Sequence, residues 1–186
     1  MSKKSDCIYR EIILKYNSDF RSDPVLAEKF LKDSRALNIE YLVEITMAEV
    51  GGYDFVDGAG YDFSDGTECK TAKIGETLKH KCANVYPGQI SNVRSKRSGL
   101  LKTGDLRVVL YNPFLDRCEY FYIPQSDLDV ELVVKTDGAL EFTYNRKKGL
   151  IDKLEPYRVA DFETLATMTA CDELDYEYEI EYAETA

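Results

Sequence analysis

Three absences narrow what this 186-residue chain can be. No stretch reaches the roughly 18 apolar residues that a membrane-spanning helix needs, so no span is expected. No Cys-x2-Cys occurs, and the five cysteines (Cys7, Cys69, Cys82, Cys118, Cys171) are odd in number and scattered. That pattern argues against a structural zinc site, even around His80-Lys81-Cys82, and predicts reduced thiols. No glycine-rich loop of the Gly-x4-Gly-Lys-Ser/Thr type is present, and no helicase or ATPase motif, which excludes phosphoryl transfer from ATP. The opening Met1-Ser2-Lys3-Lys4-Ser5-Asp6-Cys7 carries no apolar signal core, so the expected location is cytoplasmic. The length suits one domain with a real core, residues 1–171, followed by an acidic tail or edge strand over 172–186.

What the chain does hold is charge of both signs, unevenly placed. The net charge is −10, which read globally argues against a nucleic-acid partner. Residues 70–107, however, contain nine Lys/Arg against Glu76 and Asp105, a local +7 that leaves −17 for the rest. Polarity of this kind makes a basic groove on an otherwise acidic surface. Residues 161–186 hold nine acids and no Lys or Arg, with acids alternating against Tyr176, Tyr178, Ile180 and Tyr182.

The apolar spacing predicts a helix over 6–17 capped by Asp6, and a second starting at Ser22-Asp23-Pro24. A third spans about Ile39 to Val50, capped by Asn38 and ended by Gly51-Gly52, with Ile39, Leu42, Val43, Thr46 and Val50 at helical spacing. Strands are expected at Gln89–Arg94, Leu106–Tyr111 and Cys118–Ile123, the last two buried on both faces. Val130–Lys135 and Leu140–Tyr144 read as a hairpin around Asp137-Gly138, and Asp161–Met168 as a helix.

The chemistry gathers in Gly60-Tyr61-Asp62-Phe63-Ser64-Asp65-Gly66-Thr67-Glu68-Cys69-Lys70-Thr71-Ala72-Lys73, which reads as strand, tight turn and strand. Strand alternation puts Glu68 and Lys70 on one face, Cys69 and Thr71 on the other. A two-residue loop of Asp65-Gly66 would turn Asp62 away from Glu68. A three-residue loop of Ser64-Asp65-Gly66, with Gly66 left-handed, sets Asp62 opposite Glu68, and this geometry is preferred. Two carboxylates brought close repel each other and are relieved by a proton or a cation. Hard oxygens suit Mg²⁺, which polarises a phosphodiester oxygen and acidifies a bound water.

Asp62 with Glu68-Cys69-Lys70 resembles the active site of the PD-(D/E)xK nuclease superfamily, which includes many type II restriction endonucleases. The resemblance covers roughly residues 38–125, and its specific part is three residues. Tyr61 stands where that pattern has proline, and the spacing from Asp62 to Glu68 is short. Asp54 or Asp57, from the near-repeat Gly52–Gly58, is therefore an alternative acid. The resemblance implies an α/β fold with a central mixed β-sheet flanked by helices, a restriction-endonuclease-like core. It also implies a Mg²⁺-dependent DNA endonuclease, with Mn²⁺ as a substitute, acting on double-stranded DNA, and a homodimer if cutting is palindromic. Asp62, Glu68 and Lys70 would be catalytic, and Asp62, Glu68 and the Cys69 carbonyl would hold metal. Glu44 or Glu49 on the preceding helix would lie close by.

Lys73, Gln89, Asn92, Arg94, Lys96 and Arg97 are the candidate DNA contacts: Gln and Asn pair with adenine edges, Lys and Arg with guanine or phosphate. The competing readings are a structure-selective nuclease of repair or recombination, and a non-enzymatic nucleic-acid-binding or protein-interaction module whose hairpin acids are turn residues.

Overall fold

Apolar runs that bury both faces build the centre of the molecule. The computed structural model describes residues 8–23, 25–26, 38–56, 61–74, 83–94, 104–112 and 117–169. Seven strands are present among them: β1 (Glu68–Lys73), β2 (Val85–Ile90), β3 (Leu106–Asn112), β4 (Arg117–Ile123), β5 (Leu140–Asn145), β6 (Leu150–Asp152) and β7 (Arg158–Val159). The α-helices are α1 (Ser18–Ser22), α2 (Ile39–Gly51) and α3 (Phe162–Thr167), preceded by a π-helical turn, Tyr9–Ile13, that runs into a single α-turn, Leu14–Tyr16.

The strands form two sheets. The first is mixed and four-stranded, in the order β1-β3-β4-β7, with β1 parallel to β3 and the other pairs antiparallel. The second is antiparallel, in the order β2-β5-β6. Alternation along β3 divides its side chains between two cores. Val109 and Tyr111 join Ile8, Ile12, Val43, Met47, Phe162 and Leu165 under the helices. Leu106, Val108 and Leu110 face the second sheet, where they meet Tyr86, Ile90, Phe142, Tyr144 and Ile151. Helices thus cover one face of the mixed sheet and a second sheet covers the other. Among the described residues the fold is mixed α/β, with fewer helices than a sheet flanked by helices on both faces would have.

Helix α2 has the expected ends. Asn38 Oδ1 accepts the Glu40 N–H at 3.1 Å, and the helix closes on Gly52, whose φ is +73°. Asp23 also behaves as a cap, its Oδ1 accepting from Val25 N (2.9 Å) and Leu26 N (3.0 Å). Helix α3 starts at Asp161, whose Oδ1 accepts the Thr164 N–H at 2.8 Å.

Three expectations change. The helix expected over 6–17 is a π-turn and one α-turn, and its Asp6 cap lies outside the described residues. The strand expected at 89–94 lies earlier, at Val85–Ile90, because register with β5 buries Tyr86 and Ile90 and the chain turns left-handed at Asn92. Pro87 is tolerated there because β2 is an edge strand. The chain does turn back at Asp137-Gly138, with Lys135 N donating to Ala139 O at 2.9 Å, but Leu140–Asn145 does not pair along 130–135. Its ladder partners are β2 and β6, and a single bridge, Val134 with Leu140, joins it to that segment. The short strands β6 and β7 were not anticipated. Residues 172–186 lie outside the described residues.

Candidate functional site

The chain leaves α2 through Gly52, runs past Phe55, and returns so that Phe63 forms an antiparallel bridge with Phe55. A tight turn then leads into β1. Phe63 O accepts the Gly66 N–H (3.0 Å) and Phe63 N donates to Thr67 O (3.2 Å), which defines the three-residue loop Ser64-Asp65-Gly66. Gly66 has φ +83°, a conformation that a side chain would strain.

Beyond the turn the arms diverge from a regular hairpin. The Asp62 carboxylate, rather than a backbone carbonyl, meets β1: its Oδ2 accepts the Cys69 N–H at 2.9 Å. Glu68 N bonds Asp105 O on the β3 side, so the backbone groups of Cys69 and Thr71 point to the opposite, open edge of β1. The Cys69 carbonyl shares that edge, while the thiol is buried in the helix-side core. Burial pushes the thiol's pKa well up, and the nearby Glu44 and Asp62 add to this.

Glu44 reaches the same edge from α2. Burial raises its carboxyl to about 7, Asp62 contributes repulsion, and Lys70 partly offsets both. Asp62 is also raised, first by burial, against the lowering effect of the Cys69 N–H and Lys70. Two half-buried carboxyls and an ammonium therefore share one environment. The Glu68 carboxylate forms an ion pair with Lys70 on its own strand face.

A cleft of about 640 Å³ runs along this edge from Cys69 to Lys73. Glu40 and Glu44 of α2 line it, and across from β1 so do Pro87–Gln89, Ser91, Asn92, Glu141–Thr143 and Lys153.

The turn is held by Arg107, fully buried on β3. Its guanidinium donates to Asp65 Oδ2 (2.8 Å), Tyr53 Oη (2.9 Å) and Leu165 O (3.2 Å), and also to Thr67 Oγ1 and Met168 O. It lies 4.5 Å from the centre of the Tyr53 ring. Burial alone would raise Asp65, but the bonds from Arg107 and Thr67 outweigh it and hold this carboxyl below its ordinary range. Arg107 therefore ties the turn to the end of α3.

The expected site residues divide as follows. Asp62, Glu68, Cys69 and Lys70 gather at the start of β1. Lys73, Gln89 and Asn92 line the cleft. Arg94 turns to Asp129, with which it forms an ion pair. Lys96 and Arg97 lie outside the described residues, as does Asp57. Asp54 is exposed and joined to Ser64 through its backbone, whereas Asp62 lies near enough to Lys70 to feel its charge. Glu49 is also exposed, and its Oε1 accepts the Ser18 N–H at 3.4 Å, toward α1. Arg107, counted in the basic segment, belongs to the core. Sequence reasoning missed Glu40, Glu141, Thr143 and Lys153. Nothing near them in the chain marks them, because the packing of the two sheets brings them to the cleft.

Among the described residues, no group of three or more His, Cys, Asp or Glu has the placement of a metal centre. The donors at the edge are instead two carboxylates, Asp62 and Glu44, with the Cys69 carbonyl beside them. Such a set suits Mg²⁺, which takes one or two carboxylates and keeps its waters, and is too small for a closed all-protein cage. No helix among the described residues is long and apolar enough to cross a membrane. Comparison with family models, curated proteins and solved structures finds no match to this chain.

Proposed function

We propose that this chain is a Mg²⁺-dependent endonuclease of the PD-(D/E)xK type that hydrolyses phosphodiester bonds in double-stranded DNA, most like a type II restriction endonuclease. The observation that carries the reading is the bond from Cys69 N to Asp62 Oδ2 at the open edge of β1, beside a cleft that Glu44 and Lys70 line. Carboxyls raised by burial, that of Glu44 also by repulsion from Asp62, mark a place where a cation is favoured. Asp62 and the Cys69 carbonyl would hold the ion, with Glu44 in the place that the resemblance gives to Glu68, which pairs with Lys70. When bound, the ion polarises the phosphodiester and acidifies water. Lys70 would offset negative charge developing on phosphorus, and its ion pair with Glu68 holds it at the site. A mixed sheet with an Asp turn leading into Glu-x-Lys is compatible with the reading.

That same ion pair supports a second reading, a nucleic-acid-binding module without catalysis, because it occupies Glu68 within the protein. One experiment separates them. The protein is incubated with mixed plasmid and phage DNA and Mg²⁺, while Mn²⁺ binding is followed by calorimetry. Cleavage abolished by chelation, with Mn²⁺ binding lost in Asp62→Asn, supports the nuclease. Intact DNA of every kind and no carboxylate-dependent Mn²⁺ heat leaves the binding module.

A further inference from the structure

Three non-glycine residues among those described have positive φ: Asn92 (63°), Asp129 (70°) and Lys153 (68°). Such backbone is sparsely populated by residues with a side chain, and where it persists the surroundings hold it in place. Asp129 has protein partners: its Oδ1 accepts the Val134 N–H at 3.2 Å, and its Oδ2 pairs with Arg94. Asn92 and Lys153 differ. Both are exposed, both line the cleft along β1, and neither side chain has a hydrogen-bond or ion-pair partner among the described residues.

Their backbones are nonetheless fixed. Val93 N donates to Gly138 O at 3.0 Å directly after Asn92. Lys153 is the third residue of a turn closed by Leu154 N to Ile151 O (3.1 Å), between Ile151 and Leu154, both fully buried. Turn chemistry favours glycine at that third position when φ is positive, yet a lysine stands there. Charge along the cleft is also divided. Glu40 and Glu44 belong to the helix wall, where the carboxyls of the candidate metal site gather. On the second-sheet wall Glu141 is balanced by Lys135 at 2.6 Å, which leaves Lys153 as a cation without a counter-charge there.

We infer that Lys153 is a phosphate contact and Asn92 a neutral polar contact of a DNA-binding wall formed by the second sheet, across the cleft from Asp62, Glu44 and Lys70. The reading of the ligand as DNA rests on the proposed nuclease function. The placement of the two residues does not. A lysine held on a rigid turn over a cleft, with no carboxylate to satisfy, is suited to an anionic backbone, and an exposed amide beside it to a base or sugar edge.

Lys153→Gly tests this without disturbing the fold, because glycine suits the turn. Binding of a mixed-sequence DNA duplex is measured with Ca²⁺ in place of Mg²⁺ over a range of salt, alongside thermal unfolding and cleavage in Mg²⁺. The expected result is a melting temperature unchanged or higher, an affinity about tenfold weaker, and a slope of log affinity against log salt smaller by about 1. Lys153→Arg should restore the slope, and Asn92→Gly, which removes no charge, should leave it unchanged. If wild type cleaves DNA and Lys153→Gly binds with the same slope, the inference fails and the nuclease stands. If wild type binds DNA in a Lys153-dependent way without cleaving it, the inference stands and the nuclease reading fails. Binding of neither duplex nor single-stranded DNA by wild type removes both.

Discussion

Asp62 and Asp65 lie three residues apart on one turn, yet the protein treats their charges in opposite ways. Asp65 faces a fully buried guanidinium and two bonds from Thr67, and its carboxyl is held below the ordinary range. Asp62 lies near Glu44, and burial pushes both carboxyls up, that of Glu44 also through repulsion from Asp62. The Asp65 cluster is complete, since each charged group finds its partner within the chain. The Asp62 cluster keeps an excess of negative charge beside an open cleft. Compensated charges of the first kind fix structure. Uncompensated ones of the second kind mark places where a cation or substrate completes the arrangement.

The largest expected effect lies on the Asp62 side and would be read as activity. Lys70→Ala and Asp62→Asn should each slow DNA cleavage by several orders of magnitude while duplex binding in Ca²⁺ is retained. Asp54→Asn, whose carboxylate is exposed, should cleave normally. Normal rates for Asp62→Asn beside a dead Asp54→Asn would move the metal site and break the comparison at its centre.

Next comes stability on the Asp65 side. Arg107→Met leaves Asp65 and several buried acceptors without their donor, a loss of about 3–5 kcal/mol by analogy with other broken buried pairs. The measurement is the urea midpoint. A cost near that of a surface substitution would mean that the network is dispensable.

A smaller effect follows from the raised Glu44. Its carboxyl titrates near 7 in the folded chain against 4.5 in an unfolded one, so between those values the folded state keeps a proton that the unfolded state has released. Stability is therefore lost as pH rises through that window and stays lower above it. Glu44→Gln removes the loss: in EDTA its gain in melting temperature over wild type should grow from about pH 4.5 to about pH 7 and then level off. Asp65→Asn should show the opposite sign, with a cost at neutral pH that shrinks as acid protonates wild-type Asp65. A Glu44→Gln gain that does not change with pH would mean that its carboxyl is not strained.

The smallest effect supplies the baseline. Lys135→Ala removes an ion pair with Glu141 in which both side chains are about half exposed, and the urea midpoint should not move measurably.

How much of this was legible in the chain depends on the reach of each interaction. Helix α2 could be read at both ends, because Asn38 caps within two residues and Gly52 closes within four. The loop Ser64-Asp65-Gly66 could be read because its bonds span three or four residues and only Gly66 must be left-handed. Strands β3 and β4 were visible as apolar runs. The π-turn at Tyr9–Ile13 was not, since its apolar spacing resembles that of an α-helix. Strand β2 was misplaced because Gln89–Arg94 also alternates, and only pairing with β5 selects Val85–Ile90.

By itself, then, the amino-acid sequence determined the local pieces: a capped helix carrying Glu44, a glycine-closed turn carrying Asp62 and Asp65, and a strand carrying Glu68 and Lys70. Tertiary structure decided what those pieces mean to one another. It buried Arg107 among partners 40 to 61 residues away, which changed a member of a basic segment into the anchor of the turn. It set α2 against the open edge of β1, so that Glu44 meets Asp62, and laid the second sheet across the first, so that Lys153 faces the same cleft. Caps and turns depend on backbone bonds between near neighbours, which the local order of residues reveals. Charge compensation depends on which distant groups share a desolvated space, and only the packed chain settles that.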